Sequence, residues 1–220
     1  MKKYILTDEK KEILGIILHR IQAIRSFGNV KEGEKGGWVE KEENLSHDGD
    51  CWVYENARIF GNAQIFGDAR IFGDARIYEN AQIYENASIF GNAQIFGDAL
   101  VSGKARIFGD ARIFGNAEIY ENARIFGDAQ VCDKARISIL AVIKNLQDFV
   151  YFSPIGSRFA SVTFYKTKDK GISVCCGCFS GTIEEFQNQV AETHGLNKFA
   201  KEYNSAIELA KIHILEEKNE

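Results

Sequence analysis

Between residues 51 and 137 one six-letter word repeats almost without interruption, as in ARIFGN, AQIFGD, ARIFGD and ARIYEN over residues 57–80. An aliphatic residue stands at every sixth position from Val53 to Ile137, and it is Ile or Val each time. Two places before it stands a small residue, Cys51 and then Ala at every site from Ala57 to Ala135. A period of six matches neither the 3.5 nor the 3.6 of helices, so helix is excluded. In an extended segment alternate side chains share a face. The Ala and Ile of A-x-I therefore point inward together, and the residue between them and the aromatic after them point outward. The closing pair, Gly-Asn, Gly-Asp or Glu-Asn, suits a corner, because Gly, Asn and Asp accept left-handed backbone.

A chain that makes a short strand and a corner every six residues closes a triangular coil after three, and successive coils stack about 4.8 Å apart as parallel strands. Each buried Ile contributes roughly 1.5–3 kcal/mol. The pattern resembles the hexapeptide-repeat left-handed β-helix family over residues 51–137, which predicts roughly four to five coils.

The flanks follow different rules. YILTDEKKEILGIILHRIQAI reads as a hairpin with a charged turn between two apolar stretches. Residues 1–45 are read as an N-terminal β cap, anchored by Trp38 and Trp52, residues 46–138 as the left-handed β-helix, and residues 139–220 as a small α+β domain. ISILAVI, FVYF, SRFASVTFYKT and GISVCCGCF look like strands. Thr182-Ile-Glu-Glu185 is a capping box for a helix with Ile183, Phe186 and Val190 on one face, ending near Gly195. A second helix is predicted from about Asn197 to Leu215, with Phe199, Tyr203, Ala206, Ala210 and Ile214 as its stripe. FGNVKEGEKGGWVEKEENLSHDGDCWVYENA, PIGSR, VCCGCFSGT and the His-Gly closing the first of these helices resemble a family of phage- and prophage-encoded β-helix proteins. The resemblance implies a viral or mobile-element origin and carries no established activity.

Composition removes several function classes. The net charge is -4 and the pI about 5.7, with acidic and basic residues spread evenly, so nothing points to nucleic acid or an anionic membrane. The N-terminus lacks the apolar segment of a signal peptide, and no stretch approaches the roughly 20 apolar residues of a membrane helix. Five cysteines, with three at 175, 176 and 178, do not form a secreted disulfide framework. The expectation is a soluble protein of a reducing cytoplasm, the host cell's if phage-encoded, with no cofactor.

Chemistry has few candidates. Hexapeptide acyltransferases need a histidine base between coils or on an excursion loop. His19, His47, His194 and His213 all lie outside the repeat, so the chain is expected not to be an enzyme. Cys175 and Cys178 have C-x-x-C spacing that His194 and His213 would complete as a zinc site; against it stands a buried cysteine strand with a packed histidine. Gly156-Ser157-Arg158 offers backbone N–H groups, a hydroxyl and a guanidinium in sequence. Ser157, Arg158, Thr163, Cys178 and His194 are expected to line a pocket for an anionic, nucleotide-like small molecule. Such a protein would sequester a host defence signal; the alternative is an inhibitor, adaptor or structural scaffold acting on a host protein.

Sorting the hexads by threes gives three outward faces. One carries Arg70, Ser88, Arg106 and Arg124 beside Phe72, Phe90, Phe108 and Phe126. A second carries Arg58, Arg76, Gln94, Arg112 and Gln130 beside Phe60, Tyr78, Phe96, Phe114 and Cys132. The third is mixed: Gln64, Gln82, Leu100, Glu118 and Arg136 beside Phe66, Tyr84, Ser102, Tyr120 and Ser138. So many outward rings exceed what a lone soluble chain leaves wet. Mutual cover of Arg and Phe, packing against sister chains as a trimer, and binding of a partner are the three explanations. Corner acids among the Arg columns make nucleic acid the poorest of the partners.

Overall fold

The computed structural model describes residues 1–132, 134–138, 140–169 and 171–215. The expected fold is borne out: a mainly β chain with a parallel β-solenoid of about six turns and a small C-terminal unit of two helices on an antiparallel sheet.

Each hexad contributes a two-residue strand that pairs in parallel with the strand eighteen residues away, as Ser88 pairs with Arg70 and Arg106. The inward Ala and Ile or Val of every hexad are buried, and they form one continuous core cluster. The coil is longer than the expected four to five turns, because the word is spelled beyond both ends of the regular array. Trp38-Val39 pairs with Arg58-Ile59, and Leu45 bridges to Ile65. Val142-Ile143, directly after Ala141, extends the face of Arg124-Ile125. At the first coil the spacing to the next turn is twenty residues rather than eighteen, and the two extra residues fall in the 46–50 segment.

Corners take left-handed backbone, as at Gly103 (φ +68). A Cβ at Gly103 would meet the Glu121 backbone nitrogen at 2.4 Å, so only glycine fits there. In the Glu-Asn corners a glutamate holds this conformation, at Glu55, Glu79, Glu85 and Glu121. Three of these carboxylates accept a glycine N–H one coil further on: Glu55 from Gly73, Glu79 from Gly97 and Glu85 from Gly103, at 2.7–2.8 Å. A charge-assisted bond thus offsets the strain of a non-glycine corner.

The N-terminal hairpin joins β1 (Tyr4–Ile13) to β2 (Ile16–Ala23). Its turn is Leu14-Gly15, both left-handed, and not the charged stretch; Asp8–Lys11 lie within β1. Two successive left-handed residues match the twist of a tight hairpin, and glycine supplies one without strain. β2 pairs with β3 (Lys35–Val39), which itself starts a solenoid face, so the hairpin continues the sheet it caps. Trp52 is fully buried and packs edge-on against Tyr4 and Phe27. Trp38 lies under Lys11 and Arg20.

The C-terminal sheet runs β4 (Phe149–Ile155), β5 (Ala160–Lys166), β6 (Ile172–Cys176) and β7 (Phe179–Thr182), all antiparallel. Helices α1 (Ile183–His194) and α2 (Lys198–Leu215) cover one face. Thr182 caps α1 in the predicted box with Glu185, and Gly195 ends it. The other face meets the solenoid: Tyr165 and Cys175 join the solenoid core, whereas Phe164, Val174 and Cys176 join the helices.

Candidate functional site

The turn between β4 and β5 is Gly156 to Phe159, both ends left-handed. Helix α2 docks on it. The Gly156 N–H donates to Glu202 at 3.0 Å, and a Cβ at Gly156 would sit 1.9 Å from the Tyr203 hydroxyl. Ser157 and Arg158 are exposed. The Arg158 guanidinium lies against Gly177, where a Cβ would stand 3.3 Å from Nη2. Tyr203 ties this neighbourhood together, within 3.9 Å of the Cys176 sulfur and with its ring near-parallel to His194 at 5.8 Å. Burial pushes the Tyr203 hydroxyl up to about 12 and raises the Cys176 thiol, against the pull of Arg158 on both.

Arg158 and His194 thus flank one tyrosine, and Cys178 lies exposed in the β6–β7 turn. Thr163 is not with them. It is buried in β5, and its Oγ1 accepts the Arg136 N–H at 3.1 Å. Strand alternation turns it toward the solenoid, so its role is to join the two units. The same alternation separates the cysteines: Cys175 faces Tyr120 (3.3 Å) and Tyr165 (3.5 Å), and Cys176 faces the helices. His213 meets the Leu146 carbonyl at 3.2 Å. Among the described residues no group of three or more His, Cys, Asp and Glu is placed to hold a metal ion.

Sequence reasoning missed the groove beside this turn. About 650 Å³ lies between β4 and α2, lined by Phe152, Ile155, Phe159, Lys198, Lys201 and Leu209 among others. Phe159 is 71% exposed, and the two lysines stand one helical turn apart. The Lys-x-x-Lys spacing at the start of α2 was the available signal.

A second cleft of about 580 Å³ opens at the first coil, lined by Glu42, Leu45, His47, Gln64 and Phe66 among others. His47 falls in the two-residue excursion noted above. Its Nε2 meets the Glu42 carboxylate at 2.6 Å, and its Nδ1 accepts the Lys3 backbone N–H at 3.3 Å. Below it Lys3 is buried, donating to the Gly49 carbonyl and the Cys51 sulfur at 2.9 and 3.4 Å.

The outward rings stack on one another. Tyr54, Phe72 and Phe90 form one column, Phe60, Tyr78, Phe96 and Phe114 another, and Phe66 with Tyr84 a third, at 4.3–5.1 Å and nearly parallel. Phe108 stacks on Phe126, and Arg106 and Arg124 lie over Phe90 and Phe108 at 5.5 and 6.0 Å. Each ring in these columns is half-buried, so mutual cover accounts for much of the apolar surface.

The fold defines a repeat β-solenoid protein carrying a small α+β unit. Residues 63–79, 69–85 and 93–107 match the family described as the YdcK β-solenoid repeat. A 70-residue stretch is 36% identical to a protein of Escherichia coli (strain K12) named "Uncharacterized acetyltransferase YdcK". That stretch covers 28% of this chain and 22% of the relative, so the likeness spans about a fifth of the relative's length. No helix among the described residues is long and apolar enough to cross a membrane.

Proposed function

We propose that the protein is a non-enzymatic binding protein whose C-terminal unit takes an anionic small molecule bearing an apolar part, with the solenoid as its rigid body. The exposed Phe159 ring beside Lys198 and Lys201 carries this reading. A phenylalanine with left-handed backbone (φ +49) is strained by about 1–2 kcal/mol, and such strain collects at ligand clamps. The groove's 650 Å³ falls within the roughly 300–1,000 Å³ of small-molecule sites. Lys198 and Lys201 supply the positive charge for an anion in the groove, while Glu202, which also lines it, accepts the Gly156 N–H. With the phage origin that the sequence resemblance implies, binding without turnover amounts to sequestration of a nucleotide-like host signal. A host protein docking on the same surface is the alternative.

Heat denaturation of the purified protein, followed by mass spectrometry of what is released, tests this. An intact anionic molecule, lost from a Lys198→Glu/Lys201→Glu variant, is the expected outcome. Release of nothing from protein that still binds a macromolecule through this surface would replace a small ligand with a protein partner.

The relative's name supplies a second reading, acetyl transfer, and the His47–Glu42 pair is the observation that favours it. In a working pair the carboxylate holds one ring nitrogen while the other faces the substrate. Here Nδ1 already accepts the Lys3 N–H, so the proton sits on Nε2 and no lone pair is left for a substrate. Acetyl-coenzyme A turnover abolished by His47→Ala would overturn the non-enzymatic reading.

A further inference from the structure

The third face of the solenoid carries a column of rings with one step missing. Phe66 and Tyr84 stack at 5.0 Å with planes 3° apart. The next position holds Ser102, and the one after it Tyr120. Their strands are consecutive steps of one parallel ladder, Gln82 pairing with Leu100 and Leu100 with Glu118. Tyr84 and Tyr120 therefore stand two steps apart where complete columns place a ring at each step. At the missing step lies a cleft of about 250 Å³, lined by Tyr84, Leu100, Glu118, Tyr120 and Arg136 among others, with Ser102 nearly buried at its floor (8% exposed).

Both walls are fixed from behind. Tyr84 leans on Phe66. Tyr120 carries the Arg136 guanidinium 5.6 Å from its ring centroid, and its hydroxyl meets the Cys175 sulfur at 3.3 Å. Arg136 is itself held by the Glu118 carboxylate (Nε to Oε2, 2.9 Å) and by the Gly177 carbonyl. Glu118 lines the slot, and the carboxylate oxygen that Arg136 does not take is able to accept from a ligand N–H. Leu100, in a position that Arg, Gln, Glu or Ser fills in most other hexads, adds an apolar side.

We propose that this slot binds a planar heteroaromatic ring with N–H donors on its edge, a nucleobase in chemical class, which completes the column between Tyr84 and Tyr120. Base–tyrosine stacking supplies the affinity, and the Glu118 carboxylate selects an amino-bearing edge over a carbonyl-only one. The volume admits one ring system, since an apolar cavity of about 150 Å³ already takes benzene. A ligand of about ten heavy atoms reaches a Kd of roughly 0.1–1 mM. The slot is separate from the groove at Phe159, and the two proposals stand or fall independently.

The test is ligand-observed NMR and calorimetry on the full chain with adenine and cytosine, and with cyclohexanol as a non-planar control. Adenine and cytosine are expected to bind in the sub-millimolar to millimolar range and cyclohexanol not at all. Ser102→Phe would fill the slot with the ring the column lacks. It is expected to melt no lower than the parent and to abolish binding. Tyr84→Leu removes one wall and is expected to weaken binding at least tenfold, and Glu118→Gln several-fold. No saturable binding of either base up to 10-fold above about 1 mM, equal binding of cyclohexanol, or binding that survives Ser102→Phe would each overturn the proposal.

Discussion

Glu85 reaches across one coil and accepts the backbone N–H of Gly103 at 2.7 Å, while its own backbone is left-handed (φ +56). The side chain that strains one corner thus fastens the next. Glu85→Ala keeps the strain and loses the bond, and hydrogen bonds to charged groups are worth about 1.5–3 kcal/mol. With allowance for its exposed setting, a loss of about 1–2 kcal/mol is expected. Glu85→Gly relieves the strain and should cost less. Chemical denaturation of the three proteins ranks them, and a Gly variant weaker than the Ala variant would refute the compensation.

The inward–outward assignment is tested inside one hexad. Ile95 is fully buried and Gln94 beside it points out. Ile95→Asp buries a charge without a partner and should cost several kcal/mol, whereas Gln94→Ser should stay within about 0.5 kcal/mol. Thermal melts of the pair decide it.

Glu42 titrates low because Lys2 and then His47 hydrogen-bond to its carboxylate. A carboxylate depressed in the folded state adds stability above its unfolded pKa, and that contribution disappears as pH falls through the folded value. The melting temperature of the parent should exceed that of Glu42→Gln at pH 7, and the gap should close on acidification below the ordinary carboxylate range. A gap that widens in acid would have the wrong sign.

Cys178 is exposed, whereas Cys51, Cys175 and Cys176 are buried, and burial raises the thiols of Cys51 and Cys176. Alkylation of native protein at neutral pH should therefore mark Cys178 well before those three. Mass spectrometry of timed digests reads the order. Early labelling at Cys175 would mean that β6 does not rest on the solenoid.

Self-association through the face of Phe72, Phe90, Phe108 and Phe126 would cover the ring edges that stacking leaves open. The joint Phe90→Ser/Phe108→Ser variant should then have a lower mass by light scattering than the parent while its coil still melts cooperatively. A parent that is already a monomer at micromolar concentration would leave mutual cover of the rings as the whole explanation.

The solenoid was legible because a six-residue period admits few folds, and the capping box at Thr182 marked α1 for the same reason: local chemistry, local consequence. The ends of the coil were spelled in the same word, at Gly37-Trp38-Val39 and Ala141-Val142-Ile143, but two extra residues near His47 and the end of the aromatic series disguised them. The hairpin turn was misplaced because charged residues on a solvent-facing strand look like a loop. Thr163 was misassigned because alternation says which residues share a face, not which face another unit covers. The Phe159 groove depends on α2 docking against a turn some forty residues earlier in the chain, a contact that no short window contains.

The eighteen-residue register that pairs Trp52 with Arg70 and Arg70 with Ser88 makes the chain's length behave like an angle. Deleting eighteen residues from the array, such as 87–104, would shorten the prism by one step and leave each later strand on its own face. Deleting six, such as 87–92, would move every later strand to the neighbouring face and swing the C-terminal unit through a third of a revolution. Duplication or loss of single words therefore re-aims what the solenoid carries, and only changes in triplets preserve its direction.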